Sequence, residues 1–497
     1  MPIRSEKERD ILIMVDMKAK PFYLSEEDCK WVEETIAGMT TEEKIGQLFF
    51  NMGSSRDEEY LKMTVDKYHI GGIRYNPATG AEVREQNRIL QENSKIPLII
   101  ACNTENGGNG ACTDGTMIGQ QTKIGATRDA RYAYELGRMS NKEAAAIGCN
   151  LSFAPVSDIL YNWENPVIGL RTYGNDVDRV CEMTKAYMDG AHTNEGFCCA
   201  AKHFPGDGLD FRDQHVADSV NDMSCEEWDA SYGKVYQNLI DNGLEAIMAG
   251  HIMQPAYTRH FNPGIKDEDI MPATLSPELI EGLLRGKLGF NGMVLTDASH
   301  MVGLTCCMKR SEMLPHTIAA GVDMFLFFNE MDEDFASMMA GYENGIITEE
   351  RLNDALHRIL ALKAHMGLHK KAKNEIVPPV EVMEQVVGCE EHKAMAREIS
   401  EKGITLVKYK DEDVLPMIPS RYKRIMIVSV SGLSAGVMGT MMAKYMGGGK
   451  KSPAERLRDK LIEKGFDAFI YESPLDAFAK RAAAGEKVDI NMYFAGK

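Results

Sequence analysis

A chain of 497 residues exceeds one ordinary core, so two or more domains are expected. With 44% hydrophobic and 26% charged residues it has the composition of a soluble globular protein. The excess of 74 acidic over 56 basic residues, without a long Lys/Arg run, excludes a nucleic-acid backbone as the expected partner. The first twenty residues, MPIRSEKERDILIMVDMKAK, lack the long apolar core and small-residue cleavage site of a signal peptide. No stretch is long and apolar enough to span a membrane. Eleven cysteines, with no C-x-x-C, fit reduced thiols in a cytoplasm.

Strand-length apolar runs recur along the chain with helical patterns between them. They are KIGQLFFNM (44–52), GGIRY (71–75), PLIIACN (97–103), LSFAPVSD (151–158), CCAAKHF (198–204), EAIMAGHIM (245–253), GMVLTDA (292–298) and GVDMFLFF (321–328). Such continuous apolar character belongs to parallel strands covered on both faces. The first run overlaps TEEKIGQLF (41–49), which opens with a helix-capping signal. Helices are predicted over 129–148, over 276–289 behind a Ser cap and Pro, and over 348–368. Eight β/α units in roughly 330 residues predict an α/β fold, a (β/α)₈ TIM barrel with long loops.

Residues 1–370 are thus assigned to the barrel. A polar, Pro-bearing linker is expected over 371–395. A second, smaller α/β domain is expected over 396–497. Its predicted strands are GITLVKY (403–409), RIMIVSV (424–430), FDAFIYE (466–472) and VDINMYF (488–494), with a helix at 452–465. It is short for a doubly wound domain.

Barrel chemistry sits at the C-terminal ends of strands. KHFPGDGLDFRDQH (202–215) falls there, so Lys202 and His203 are expected in the mouth, followed by a long loop carrying Asp210, Asp213 and His215. LTDASH places Asp297 at a second strand end. Asp297 reads as a nucleophile or base facing a mobile acid/base group. In DQH, Asp213 and His215 share one side of an extended loop, so the carboxylate can accept an imidazole N–H and orient the ring. A metal set of His203, His215 and Asp207 matches no ligand motif, and no metal is expected. The loop 206–220, rich in glycine and charge, is expected to be mobile.

These residues resemble glycoside hydrolase family 3, in its β-N-acetylhexosaminidase branch. KHFPGDG…DQH is similar to the signature K-H-[FI]-P-G-x-G-x(4)-D-x-H. MTTEEKIGQLF (39–49), FAPVSD (153–158), IGLRTYG (168–174), LSPELIEGLLRGKLGFNGMVLTDA (275–298) and AREISEKGITLVK (396–408) resemble further family segments in the family's order. The resemblance implies that Asp297 is the nucleophile and His215 the acid/base, with Asp213 its partner. It implies that Arg171, Lys202 and His203 hold sugar hydroxyls and the N-acetyl group, with Asp158 supporting Arg171. Where the family has D-x-E-G-G-R, this chain has CNTENGGNGACTDG (102–115). Asn103 or Glu105 takes the sugar-binding role there, and the family arginine has no counterpart nearby.

The implied activity is retaining removal of terminal β-linked N-acetylglucosamine, a small carbohydrate partner needing no cofactor. A neutral imidazole repels an anionic acceptor less than a carboxylate would, and some members of the branch are phosphorylases. Phosphorolysis of the same intermediate, or β-glucosidase activity, are the alternatives.

Overall fold

Runs buried on both faces fold as parallel strands because helices cover the outside and side chains fill the inside. The computed structural model describes residues 13–408, 415–429, 451–472 and 481. In it each of the eight expected runs holds one barrel strand: β1 Phe49–Met52, β2 Gly72–Arg74, β3 Ile99–Cys102, β4 Leu151–Ser152, β5 Cys198–Phe204, β6 Ala246–Ala249, β7 Met293–Thr296 and β8 Phe325–Leu326. Every neighbouring pair from β1 to β7 is parallel. β8 returns to β1, with Phe49 opposite Phe325, and a parallel bridge between Leu295 and Met324 closes the ring. The fold is a (β/α)₈ barrel.

The period-2 alternation of the strands decides which residues reach the mouth. Ala200, Met248 and Leu295 pack in one cluster with Phe49 and Phe50 of β1. Their neighbours Ala201, Ile247 and Val294 pack in another, with Tyr187, Leu239 and Leu283 of the surrounding helices. Two residues beyond Ala200 and Leu295 the inner series arrives at Lys202 and Asp297.

The first run is divided between two elements. Thr40 and Glu43 form a capping box on the helix Thr41–Gln47, and β1 starts only at Phe49. Helices also form at Ala130–Ala146 behind Asp129, at Glu278–Lys287, and at Glu349–His365 behind Thr348. The exposed Thr348 hydroxyl accepts the Arg351 amide at 3.2 Å. Thr348→Ala should therefore cost about 1 kcal/mol, read as a lower urea midpoint with an unchanged slope.

The chain divides into two compact units, 1–405 and 406–497. Within the stretch expected as a linker, the helix Val380–Val386 and the start of Glu390–Lys402 pack on the first unit. His392 sits 2.6 Å from buried Glu143, and Ile399 lies in the core with Ile124. In the second unit, Arg424–Ile427 and Asp467–Ile470 pair in parallel, and a Ser452 capping box starts the helix Pro453–Glu463. Residues 403–408 form no strand, contrary to expectation: Ile404, Leu406 and Val407 are exposed and pair with no neighbouring strand among the described residues. The last expected strand, 488–494, lies outside the described residues.

Candidate active site

At the end of β5 the pairing with β6 shifts register between Lys202 and Phe204. Such an irregularity re-aims side chains, and here two consecutive residues, Lys202 and His203, turn into the mouth. Both are buried. Lys202 Nζ lies 2.5 Å from Glu105 Oε1. Arg171 makes a fork to the same carboxylate, with Nε and Nη2 each 3.0 Å from an oxygen. Glu105 follows β3, and Arg171 ends the short 3₁₀ turn Gly169–Arg171 in the loop after β4. One anion from one loop thus separates two cations from two others.

Burial alone would raise the Glu105 carboxyl, but Lys202 and then Arg171 hold it well below the usual carboxylate range. Burial pulls the Lys202 ammonium down, with Glu105 working against that. Glu105→Gln would leave two cations facing each other at the site. It should destabilise the fold by about 3 kcal/mol, the low end for a broken buried pair because Arg171 keeps a quarter of its side chain exposed. A depressed folded value gives stability that is present above the unfolded value of about 4.3 and is lost as pH falls through the folded one. Wild type and Glu105→Gln should therefore differ in urea midpoint at neutral pH and converge in strong acid. A difference that grows in acid would contradict the ion triad.

Asp158, fully buried after β4, fixes His203 twice. Its Oδ1 accepts the His203 amide at 3.2 Å and its Oδ2 the Nδ1–H at 2.7 Å. The same Oδ1 accepts the amide of Asp207 at 2.8 Å. Asp158 was expected beneath Arg171; its direct hydrogen-bonding partner is His203. With Nδ1 committed, His203 Nε2 points inward, 3.4 Å from Arg171 Nη2 and 3.9 Å from Asp297 Oδ2.

Asp297 stands directly after β7. Its amide bonds to the Ala249 carbonyl at 2.8 Å, and its Oδ1 accepts the Ala298 amide at 2.7 Å. Oδ2 is left facing the site. Burial works to raise this carboxyl, while His203, His251, the Ala298 amide and Lys202 together hold it below its ordinary value. The site thus keeps an ionised carboxylate at its floor.

Asp213 and His215 form the expected pair. Asp213 Oδ1 accepts the His215 amide at 2.8 Å and its Nδ1–H at 2.6 Å. The ring is half exposed, which leaves Nε2 for a ligand. The loop was expected to be mobile, but its charges are used internally. Arg212 bonds Asp210 and Asp218. Asp207 accepts from Asn165 and Gln214. The carbonyls of Gln214 and His215 accept the amides of Gly303 and Val302, at 3.0 and 3.1 Å, just past Asp297 in sequence. Residues 219–220 pair with 252–253. In the set His203, His215 and Asp207, Asp158 holds His203 Nδ1, Asp213 holds His215 Nδ1, and Asp207 accepts from the Asn165 and Gln214 amides.

Asn103 follows β3 and is half-buried, while Glu105 is occupied by Lys202 and Arg171, so of the two it is Asn103 that keeps its side chain available. Sequence reading missed His251. It follows β6, accepts nothing from the loop by its ring, and is buried with Nδ1 3.0 Å from Thr274 Oγ1 and Nε2 3.1 Å from the Ala298 carbonyl. Gln214 Oε1 accepts its amide at 2.9 Å, so the residue before His215 is pinned to the strand beside Asp297. The run EAIMAGHIM held the signal: a lone imidazole at the end of a barrel strand.

The Glycosyl hydrolase family 3 N terminal domain matches residues 40–362. A beta-N-acetylglucosaminidase/beta-glucosidase of Cellulomonas fimi is 39% identical over 460 residues, covering 92% of this chain and 79% of that protein. A solved beta-glucoside phosphorylase, BglX, superposes with a TM-score of 0.85 at 40% identity, over 92% of this chain and 79% of its own. A family 3 beta-N-acetylglucosaminidase from Paenibacillus sp. str. FPU-7 gives 0.74 at 26% identity, over 90% and 83%. No helix among the described residues is long and apolar enough to cross a membrane. The matched domain spans the whole barrel and every site residue above, so the chain belongs to glycosyl hydrolase family 3 and is a glycosidase.

Proposed function

We propose that this enzyme releases terminal β-linked N-acetylglucosamine with retention, through a covalent glycosyl-Asp297, with His215 as acid and base and Asp213 as its partner. The observation that carries this reading is the placement of the Asp213–His215 pair. It rides on a loop bonded to Val302 and Gly303, a few residues past Asp297. Asp297 attacks the anomeric carbon while His215 Nε2–H protonates the departing oxygen. The same nitrogen then takes a proton from the water that opens the ester. Lys202, His203, Arg171 and Asn103 hold the sugar through hydrogen bonds, the charged ones strongest. Glu105 and Asp158 position those donors rather than meeting the sugar.

A second reading is favoured by one feature. The acid/base is an imidazole, so phosphate approaching glycosyl-Asp297 meets a ring where most retaining glycosidases carry a second carboxylate. A phosphate oxygen would attack the anomeric carbon, Asp297 would leave as carboxylate, and sugar 1-phosphate would result. Similarity to a protein described as a beta-glucoside phosphorylase supports the same reading.

Rates on nitrophenyl β-N-acetylglucosaminide, β-glucoside and β-xyloside, with phosphate varied, separate these readings. The proposal expects N-acetylglucosaminide to be the best substrate and free sugar to be the product without phosphate. Sugar 1-phosphate as the main product, with turnover rising in proportion to phosphate, would replace hydrolysis by phosphorolysis. Preference for the glucoside would overturn the sugar assignment.

A further inference from the structure

At the other end of the barrel, Cys198, the first residue of β5, lies beside Glu245, which immediately precedes β6, and His365, the last residue of the helix Glu349–His365. The thiol sulfur, a carboxylate oxygen and an imidazole nitrogen all lie within 4.8 Å of one another. Cys198 and Glu245 are buried, and His365 keeps 30% of its side chain exposed.

The orientation of the three groups is specific. Glu245 Oε2 is held by the Cys199 amide at 3.1 Å, which aims Oε1 at the cluster. His365 Nδ1 lies 3.0 Å from the Phe22 carbonyl. A carbonyl only accepts, so Nδ1 carries the proton and Nε2 presents a lone pair. That lone pair faces Glu245 Oε1 at 3.9 Å. A cation satisfies both groups here, whether it is a proton on Nε2 or a metal ion that also takes the thiolate. Bonds of about 2.0–2.3 Å to one tetrahedral ion put its ligands roughly 3.3–3.8 Å apart, so the three atoms, which lie within 4.8 Å of one another, would draw in by up to about 1 Å on binding. The same Oε1 also has His192 Nε2 at 2.8 Å, so an ion at the cluster would share this oxygen with that imidazole. The backbone bond that fixes the His365 tautomer is the kind that supports metal-bound histidines.

We propose that Cys198, Glu245 and His365 bind a zinc-like divalent ion at the floor of the barrel, with solvent in the fourth position. Thiolate, imidazole and carboxylate together favour zinc over magnesium or calcium. Binding expels the Cys198 thiol proton to solvent, and the ion joins the resulting thiolate. The ion ties β5 and β6 to the helix that closes the barrel. Its role is structural, since Cys198 and His203 are five residues apart on one strand, about 16 Å. Floor residues of such barrels serve stability, not chemistry.

The test is a cobalt titration of tag-free, full-length, chelator-stripped protein. One equivalent of Co²⁺ should produce a near-ultraviolet thiolate charge-transfer band and the strong visible bands of a four-coordinate ion, and Zn²⁺ should abolish both. Cys198→Ala should lose the charge-transfer band. His365→Gln, at the part-exposed end of its helix, should fold as judged by circular dichroism and bind Co²⁺ at least tenfold more weakly. Zn²⁺ should raise the melting temperature of wild type and of neither variant. The site does not exist if one equivalent of Co²⁺ gives no thiolate band. It is wrongly placed if Cys198→Ala keeps the band at full strength, which would point to other thiols such as Cys306 and Cys307. Equal Zn²⁺ stabilisation of His365→Gln would also overturn it.

Discussion

Replacing Asp297 by alanine is expected to lower turnover by on the order of 10⁴–10⁶-fold, because it removes the atom that forms the covalent bond. The fold should survive. Asp297 contributes one side-chain bond, from the neighbouring Ala298 amide, while its backbone amide remains on Ala249. Loss of the buried carboxylate also relieves its desolvation. Rates on nitrophenyl glycosides together with a melting curve check both halves of this expectation. Residual activity above about one per cent would mean that another carboxylate attacks.

The second large effect belongs to the loop. His215→Ala should cost about 10²–10⁴-fold on substrates with poor leaving groups, the usual range for general acid–base catalysis. Nitrophenolate leaves with little protonation, so its glycosylation step should suffer less. Azide should partly restore the variant by attacking glycosyl-Asp297 directly. Asp213 acts only through His215, by the 2.6 Å bond to Nδ1. The double variant with Asp213→Ala should therefore be scarcely worse than His215→Ala alone. Strictly additive losses, equal for good and poor leaving groups, would remove the pair from the mechanism.

The barrel was legible because its strands are apolar on both faces, so each run stood out without any alternation to decode. What resisted reading was local. Lys44, Ile45 and Gln47 look strand-like in KIGQLFFNM, yet the Thr40–Glu43 capping box claims them for a helix. GITLVKY has strand composition, but among described residues it has no neighbouring strand to accept its backbone. Lys202, His203 and Asp297 could be placed because strand period and strand end are properties of short sequence. The task of Glu105 could not, since its partners Arg171 and Lys202 come from two other loops. The loop 206–220 illustrates a different limit. Glycine and charge suggested mobility, but whether charges are solvated or bonded to one another depends on geometry that composition does not carry. The Cys198–Glu245–His365 cluster spans 167 residues of sequence and has no motif spacing to announce it.

The central claim, a glycosyl-enzyme on Asp297, is tested most directly by trapping. A 2-fluoro β-glycoside with a good leaving group slows both steps, and the second more, so the covalent intermediate accumulates. The account predicts one sugar per chain, on the peptide containing LTDASH, with fragmentation placing the mass on Asp297. Label on Glu105, Asp158, Asp207 or any other carboxylate, or inactivation without a covalent adduct, would contradict it.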